Sequence, residues 1–154
     1  MEPLHGTVAS LFLGNTGTLS KAAQSSLEFA FDGIVDDRHR GLTRKAWEQT
    51  DKQPGGTERR NERQWSAVAQ EDLDKVSQAL SLAKPLIAGD VAVNLSISGI
   101  PDFSCLPRGT IFTFEGGVVL MVEEYNPPCS RMSHYIAEGH KASTGKKLGD
   151  SDFI

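Results

Sequence analysis

Cysteine is nearly absent from this chain of 154 residues, which carries only Cys105 and Cys129. There is no Cys-x-x-Cys pair, no His-x-x-x-His and no dense Asp/Glu cluster at ligand spacing, which argues against structural zinc and calcium sites. A Gly-Lys-Ser/Thr phosphate loop is also missing. Positive charge is in short supply, with 16 Lys and Arg against 20 Asp and Glu and a net charge of −4. Nucleic acid and anionic membrane surfaces need the opposite balance, so neither is expected as a general partner. No apolar run approaches the roughly 18 residues of a membrane span. The N-terminal Met-Glu-Pro-Leu-His-Gly has neither the basic start nor the apolar core of a signal peptide, which predicts a cytoplasmic protein with reduced thiols.

What is abundant is punctuation: 15 glycines and 7 prolines. With apolar residues at 38%, this composition predicts one mainly β domain, a barrel with one or two short helices, and not a helical bundle. Alternation predicts strands over 6–13, 27–34, 63–69 and 91–97, and a hairpin of 111–114 with 118–125 around Glu115-Gly116-Gly117. Leu73, Val76 and Leu80 at helical spacing, with acidic residues in the first turn, predict a helix over 70–82. Residues 36–45 are too charged to bury and read as a loop that extends through the polar stretch to Glu62. The barrel domain is expected over 1–132, followed by a polar tail over 133–154.

Four segments carry chemistry. The apolar run from Val118 ends in Asn126-Pro127-Pro128-Cys129. Paired prolines fix φ and remove two donors, so the thiol of Cys129 is presented on a stiff turn. Such a thiol can bind a soft metal or carry sulfur; it can equally be a small packing residue. Cys105, in Phe103-Ser104-Cys105-Leu106-Pro107, reads as packing. The others are Asp37-Arg38-His39, Arg63-Gln64 and Asn94-Leu95. A Cys-His hydrolase built on Cys129 with His39 or His134 lacks any nameable residue to orient the imidazole.

The order of these segments resembles the molybdenum cofactor sulfurase C-terminal (MOSC) domain, a strand-rich barrel with a Gly-Ile-x-Gly-Asp-x-His-x-Gly loop, an Arg-Gln pair, a Gly-Glu-Asn-Leu segment and a Pro-Cys. Here they read Gly33-Ile34-Val35-Asp36-Asp37-Arg38-His39-Arg40-Gly41, Arg63-Gln64, Ala92-Val93-Asn94-Leu95 and Pro128-Cys129. Asp36 stands where the motif has glycine, and Ala92-Val93 where it has Gly-Glu.

The resemblance implies binding of the molybdenum cofactor, with Asp37, Arg38, His39, Arg63, Gln64 and Asn94 as cofactor-binding residues and Cys129 as metal ligand and catalytic residue. Arg38, Arg63 and His39 would meet its phosphate, Gln64 and Asn94 the edge of its pterin, and the Cys129 thiolate its molybdenum. Arg131 is close enough in sequence to contribute. Three activities follow from the resemblance: reduction of N-hydroxylated compounds with an electron-donor partner, carriage of sulfur or cofactor through a Cys129 persulfide supplied by a cysteine desulfurase, or a vacant barrel serving as an interaction module. Pyridoxal phosphate belongs to a separate desulfurase domain and is not expected on this chain. An open barrel edge would favour a homodimer.

Overall fold

The computed structural model describes residues 2–48, 51–141, 143, 145 and 148. Its largest sheet has four strands in the order β2-β1-β8-β7. The central strand β1, Thr7–Leu13, pairs antiparallel with β2, Ala22–Gln24, on one side and with β8, Leu95–Ser98, on the other. β7, Ala67–Ala69, lies parallel to β8, and a parallel neighbour requires a crossover. Helix α1, Gln70–Ala79, provides it.

α1 begins without a side-chain cap, and its first turn is tied down by its own acids instead. Glu71 Oε1 accepts from the Gly99 amide at 2.8 Å and Asp72 Oδ2 from the Ser104 hydroxyl at 2.6 Å. Carboxylates there also suit the positive end of the helix dipole. Of the expected apolar stripe, Leu73 is buried while Val76 lies 40% exposed. The second inward residue is Ser77, whose hydroxyl donates to the Leu73 carbonyl and accepts from the Leu86 amide. The core joins Phe12, Leu73, Leu86, Ala88 and Ile136, with Val68, Leu82, Val91, Val93 and Met132 packed against it.

The remaining strands form two-stranded ribbons: β3 with β4 (Phe29–Ala30, Gly33–Ile34), β5 with β6 (Thr43–Lys45, Glu58–Arg60) and β9 with β10 (Ile111–Thr113, Val119–Met121). The fold is therefore mainly β with two short helices, but among the described residues no closed barrel forms. Each ribbon has strands of two or three residues that pair only within the ribbon, too short to bridge to the sheet. The expected strand over 27–34 is a hairpin, because Gly33 takes φ +122 and turns the chain at Phe31-Asp32. The strand expected from Val91 begins only at Leu95. Before it the chain coils through Asp90 N to Ile87 O, Ala92 N to Gly89 O and Val93 N to Ala88 O bonds. Likewise only the last three residues of the 63–69 run are strand.

The long charged excursion contains the β5–β6 ribbon, organised by ions. Arg44 binds Asp51 through Nη1 at 2.7 Å and also reaches Glu62, while Arg59 binds the same two acids. The polar stretch after 132 contains part of α2, Ser130–Gly139, which buries Ser133, Ile136 and Ala137. Among the described residues no helix is long and apolar enough to cross a membrane.

Candidate functional site

The site begins with the turn after β4. Asp37 lies at its centre with a side chain fully withdrawn from solvent. Its Oδ2 accepts from Lys21 Nζ at 2.8 Å, Asn94 Nδ2 at 2.8 Å and the Gly14 amide at 3.3 Å. Its Oδ1 accepts from the His39 amide at 2.9 Å and lies 3.3 Å from His39 Nδ1. Burial opposes ionisation of Asp37, yet the bonds from His39, Lys21, the His39 amide and Asn94 outweigh it and hold the carboxylate well below its usual range. For Lys21 burial pulls down from the ordinary lysine value, while Asp37 pulls up.

Lys21 reaches Asp37 because β2 is pinned: its amide donates to Gly89 O at 3.0 Å. The backbones approach so closely that a Cβ on Gly89 would stand 2.6 Å from both Lys21 O and a Phe12 ring carbon. Asn94, 1% exposed, also donates Nδ2 to Phe12 O at 3.1 Å, while its Oδ1 accepts from the Ser66 hydroxyl at 3.1 Å. Its amide group is thus committed inside the protein.

A second amide ties the loop to the Arg-Gln pair. Asn61 Nδ2 donates to the His39 and Gly41 carbonyls at 2.7 and 2.8 Å, and Asn61 Oδ1 accepts from the Arg63 amide at 3.0 Å. Gln64 Nε2 donates to Gly41 O at 3.1 Å. The Arg63 guanidinium lies over the Trp47 ring, 4.6 Å from its centroid, a cation–π contact. Arg38 turns the other way, donating to the Thr16 and Thr18 carbonyls.

The structure therefore brings Asp37, His39 and Asn94 into one network, and joins Arg63 and Gln64 to it through Asn61 and Gly41. Cys129 stands apart from these bonds. It precedes α2, where its carbonyl accepts from the Met132 and Ser133 amides. Its exposed thiol has no hydrogen-bond partner among the described residues. Sequence reasoning missed Lys21, Asn61, Ser66 and Trp47. Asn61 sits two positions before the Arg-Gln pair, a hint that proximity alone offered; Lys21, among small and polar neighbours, gave no signal.

The MOSC domain family model matches residues 38–151. The chain belongs to the MOSC domain family. A protein of Bacillus subtilis (strain 168), YuaD, is 33% identical over 120 residues; its name assigns it provisionally to metal-sulfur cluster biosynthesis. That match covers 77% of this chain and 62% of YuaD, so the chain spans less than two thirds of the relative's length. The crystal structure of the Bacillus subtilis YuaD protein superposes with a TM-score of 0.80 at 26% identity, over 89% of this chain and 76% of that one.

Both places where this MOSC sequence replaces a motif glycine prove to be left-handed: Asp36 has φ +64 and Ala92 φ +60. Neither position has glycine, the residue that adopts this backbone at no cost. Asp tolerates this region, alanine less so. Ala92→Gly should therefore stabilise the protein by about 1 kcal/mol, raising the melting temperature by roughly 2–4 °C. A calorimetric scan showing no rise would mean that the strain is absorbed elsewhere. Val93, in place of the motif's glutamate, packs against the core, so this position carries no carboxylate.

Proposed function

We propose that this MOSC protein binds the molybdenum cofactor beside the 36–41 loop and Arg63-Gln64, with Cys129 as the protein's ligand to the metal. The observation that carries this reading is the Asp37 network. It spends buried groups on fixing a loop whose His39 remains half-buried and accessible and whose Gly41 carbonyl holds Gln64. The donor set fits the group. A guanidinium suits a phosphate, the Gln64 amide a pterin edge, and a thiolate a soft metal. Among the described residues no cluster of three His, Cys, Asp or Glu could hold a bare metal ion; a metal that arrives with its own dithiolene needs only one protein ligand.

When bound, the cofactor supplies a redox-active metal centre, and reduction of an N-hydroxylated compound by an electron-donor protein is the activity proposed for it. Arg63 and Gln64 bind and orient it. Asp37 and Asn94, both buried and fully engaged, hold the loop and do not touch a ligand.

A second reading is favoured by the exposed thiol of Cys129, which has no hydrogen-bond partner among the described residues, and by the provisional metal-sulfur assignment of YuaD. In it Cys129 receives sulfur as a persulfide from a cysteine desulfurase and passes it on, pyridoxal phosphate staying with the desulfurase. A barrel without ligand, acting as an interaction module, is the remaining reading.

The deciding experiment is molybdenum and pterin content after expression in a host that makes the cofactor. The cofactor reading expects near-stoichiometric molybdenum in the wild type, and at least a tenfold loss of metal in Cys129→Ala with the fold intact. Absence of both components from the wild type would sink it. Labelled sulfur on Cys129 after incubation with a desulfurase and cysteine would then establish the carrier.

A further inference from the structure

The two oxygens of Asp37 have divided roles. Oδ2 is saturated by Lys21, Asn94 and the Gly14 amide. Among the described residues Oδ1 serves His39 alone, through its amide and its Nδ1 edge. Rotation of the carboxylate is blocked, because Asn94 is itself held by Phe12 O and Ser66. The Lys21 ammonium, as withdrawn from solvent as the carboxylate, keeps Asp37 ionised and therefore an acceptor only. A neutral imidazole facing that oxygen through Nδ1 must carry its proton there, since two lone pairs would repel. The far edge of the ring is then Nε2, a bare acceptor. It has no partner among the described residues, and the His39 side chain is 38% exposed.

We propose that Lys21 and Asp37 act together as positioning residues that fix His39 as its Nδ1–H tautomer, so that Nε2 is presented as a hydrogen-bond acceptor to an N–H or O–H group of the bound ligand. This changes the role read from sequence, in which His39 is a cation for phosphate. It also supplies the orienting carboxylate that the sequence did not reveal. The inference rests on the reading of this loop as ligand-facing, but its test does not involve the cofactor, so failure of one is separable from failure of the other.

The test is a two-bond ¹H–¹⁵N correlation spectrum of ligand-free, ¹⁵N-histidine-labelled protein, recorded at alkaline pH so that the imidazoles are neutral. His39→Gln identifies the resonance. The wild type should favour the Nδ1–H form of His39 several-fold, the bias expected of an imidazole edge that faces an ionised carboxylate oxygen at 3.3 Å. In Lys21→Met/Asp37→Asn, which removes both charges at nearly constant volume, that ratio should fall several-fold. A wild-type spectrum with equal tautomers or mostly Nε2–H overturns the proposal, as does a folded double variant with the wild-type ratio. Should the double variant fail to fold, the wild-type spectrum alone decides.

Discussion

Asp37→Ala should lower stability by about 3–5 kcal/mol, the range found when one partner of a buried ion pair is removed. The reason is what remains. Lys21 Nζ and the amides of Gly14 and His39 lose their acceptor at once, Asn94 Nδ2 keeps one of its two, and unsatisfied buried donors are costly. The melting temperature should fall by roughly 10 °C or more. Chemical denaturation of wild type, Asp37→Ala, Lys21→Met and the double variant gives the coupling directly. The double variant should lose less than the sum of the singles, because no charge is stranded. A single Asp37→Ala variant melting within a few degrees of wild type would mean that water or a rearranged loop replaces the carboxylate.

Acid should act on the same network. The folded-state pKa of Asp37 lies below its unfolded value of about 3.9. Its contribution is thus complete above about pH 5, and is lost as pH falls through the carboxylate range towards the folded value. Protonation leaves Lys21 charged and buried with no counter-ion, so the loss is steep. Four further carboxylates shift the same way: Asp51 through Arg44 and the Trp47 amide, Glu62 against an opposing burial effect through Arg44, Glu71 through the Gly99 amide, and Glu123 through Arg60. Melting temperatures measured from pH 7 to pH 3 should hold down to about pH 5 and then drop. Added salt should weaken the exposed Arg60–Glu123 pair and leave Lys21–Asp37 almost unaffected. A flat profile to pH 3 would show that these carboxylates are not held as the geometry indicates.

How much of this was legible follows from what each segment must satisfy. β1 and the β9–β10 hairpin were readable because alternation and a Glu-Gly-Gly turn are local facts; Gly117 indeed turns the chain at φ +82. α1 was readable from its acidic start and period, although Ser77 takes an inward position that periodicity reserves for an apolar residue. The short ribbons were not readable. Alternation through Val91, Val93 and Leu95 implies a strand, but it cannot show that Ala92 is left-handed within a turn closed by the bond from Val93 N to Ala88 O. β2 has exposed Ala22–Gln24, without apolar signal, and exists because β1 and Gly89 capture it.

At the site, the resemblance to the MOSC motif named Asp37, His39 and Asn94, which the fold does bring together. It did not reveal that Asp37 and Asn94 are buried and hydrogen-bonded to each other. Nor could it supply Lys21, whose role depends on a backbone approach at Gly89 rather than on any pattern in its own neighbourhood.

The Asp37–Asn94 network also has a history in the life of the chain. Its bonds span 16 residues from Lys21 to Asp37, 57 from Asp37 to Asn94 and 82 from Phe12 to Asn94. Contacts so far apart must overcome loop-closure entropy before they return any stabilisation. During synthesis the Lys21–Asp37 pair waits, without Asn94 to dry it, until β8 has left the ribosome. The loop that carries His39 is thus set no earlier than the sheet, which needs β8 as well, and a nascent chain halted before β8 holds the motif without its geometry.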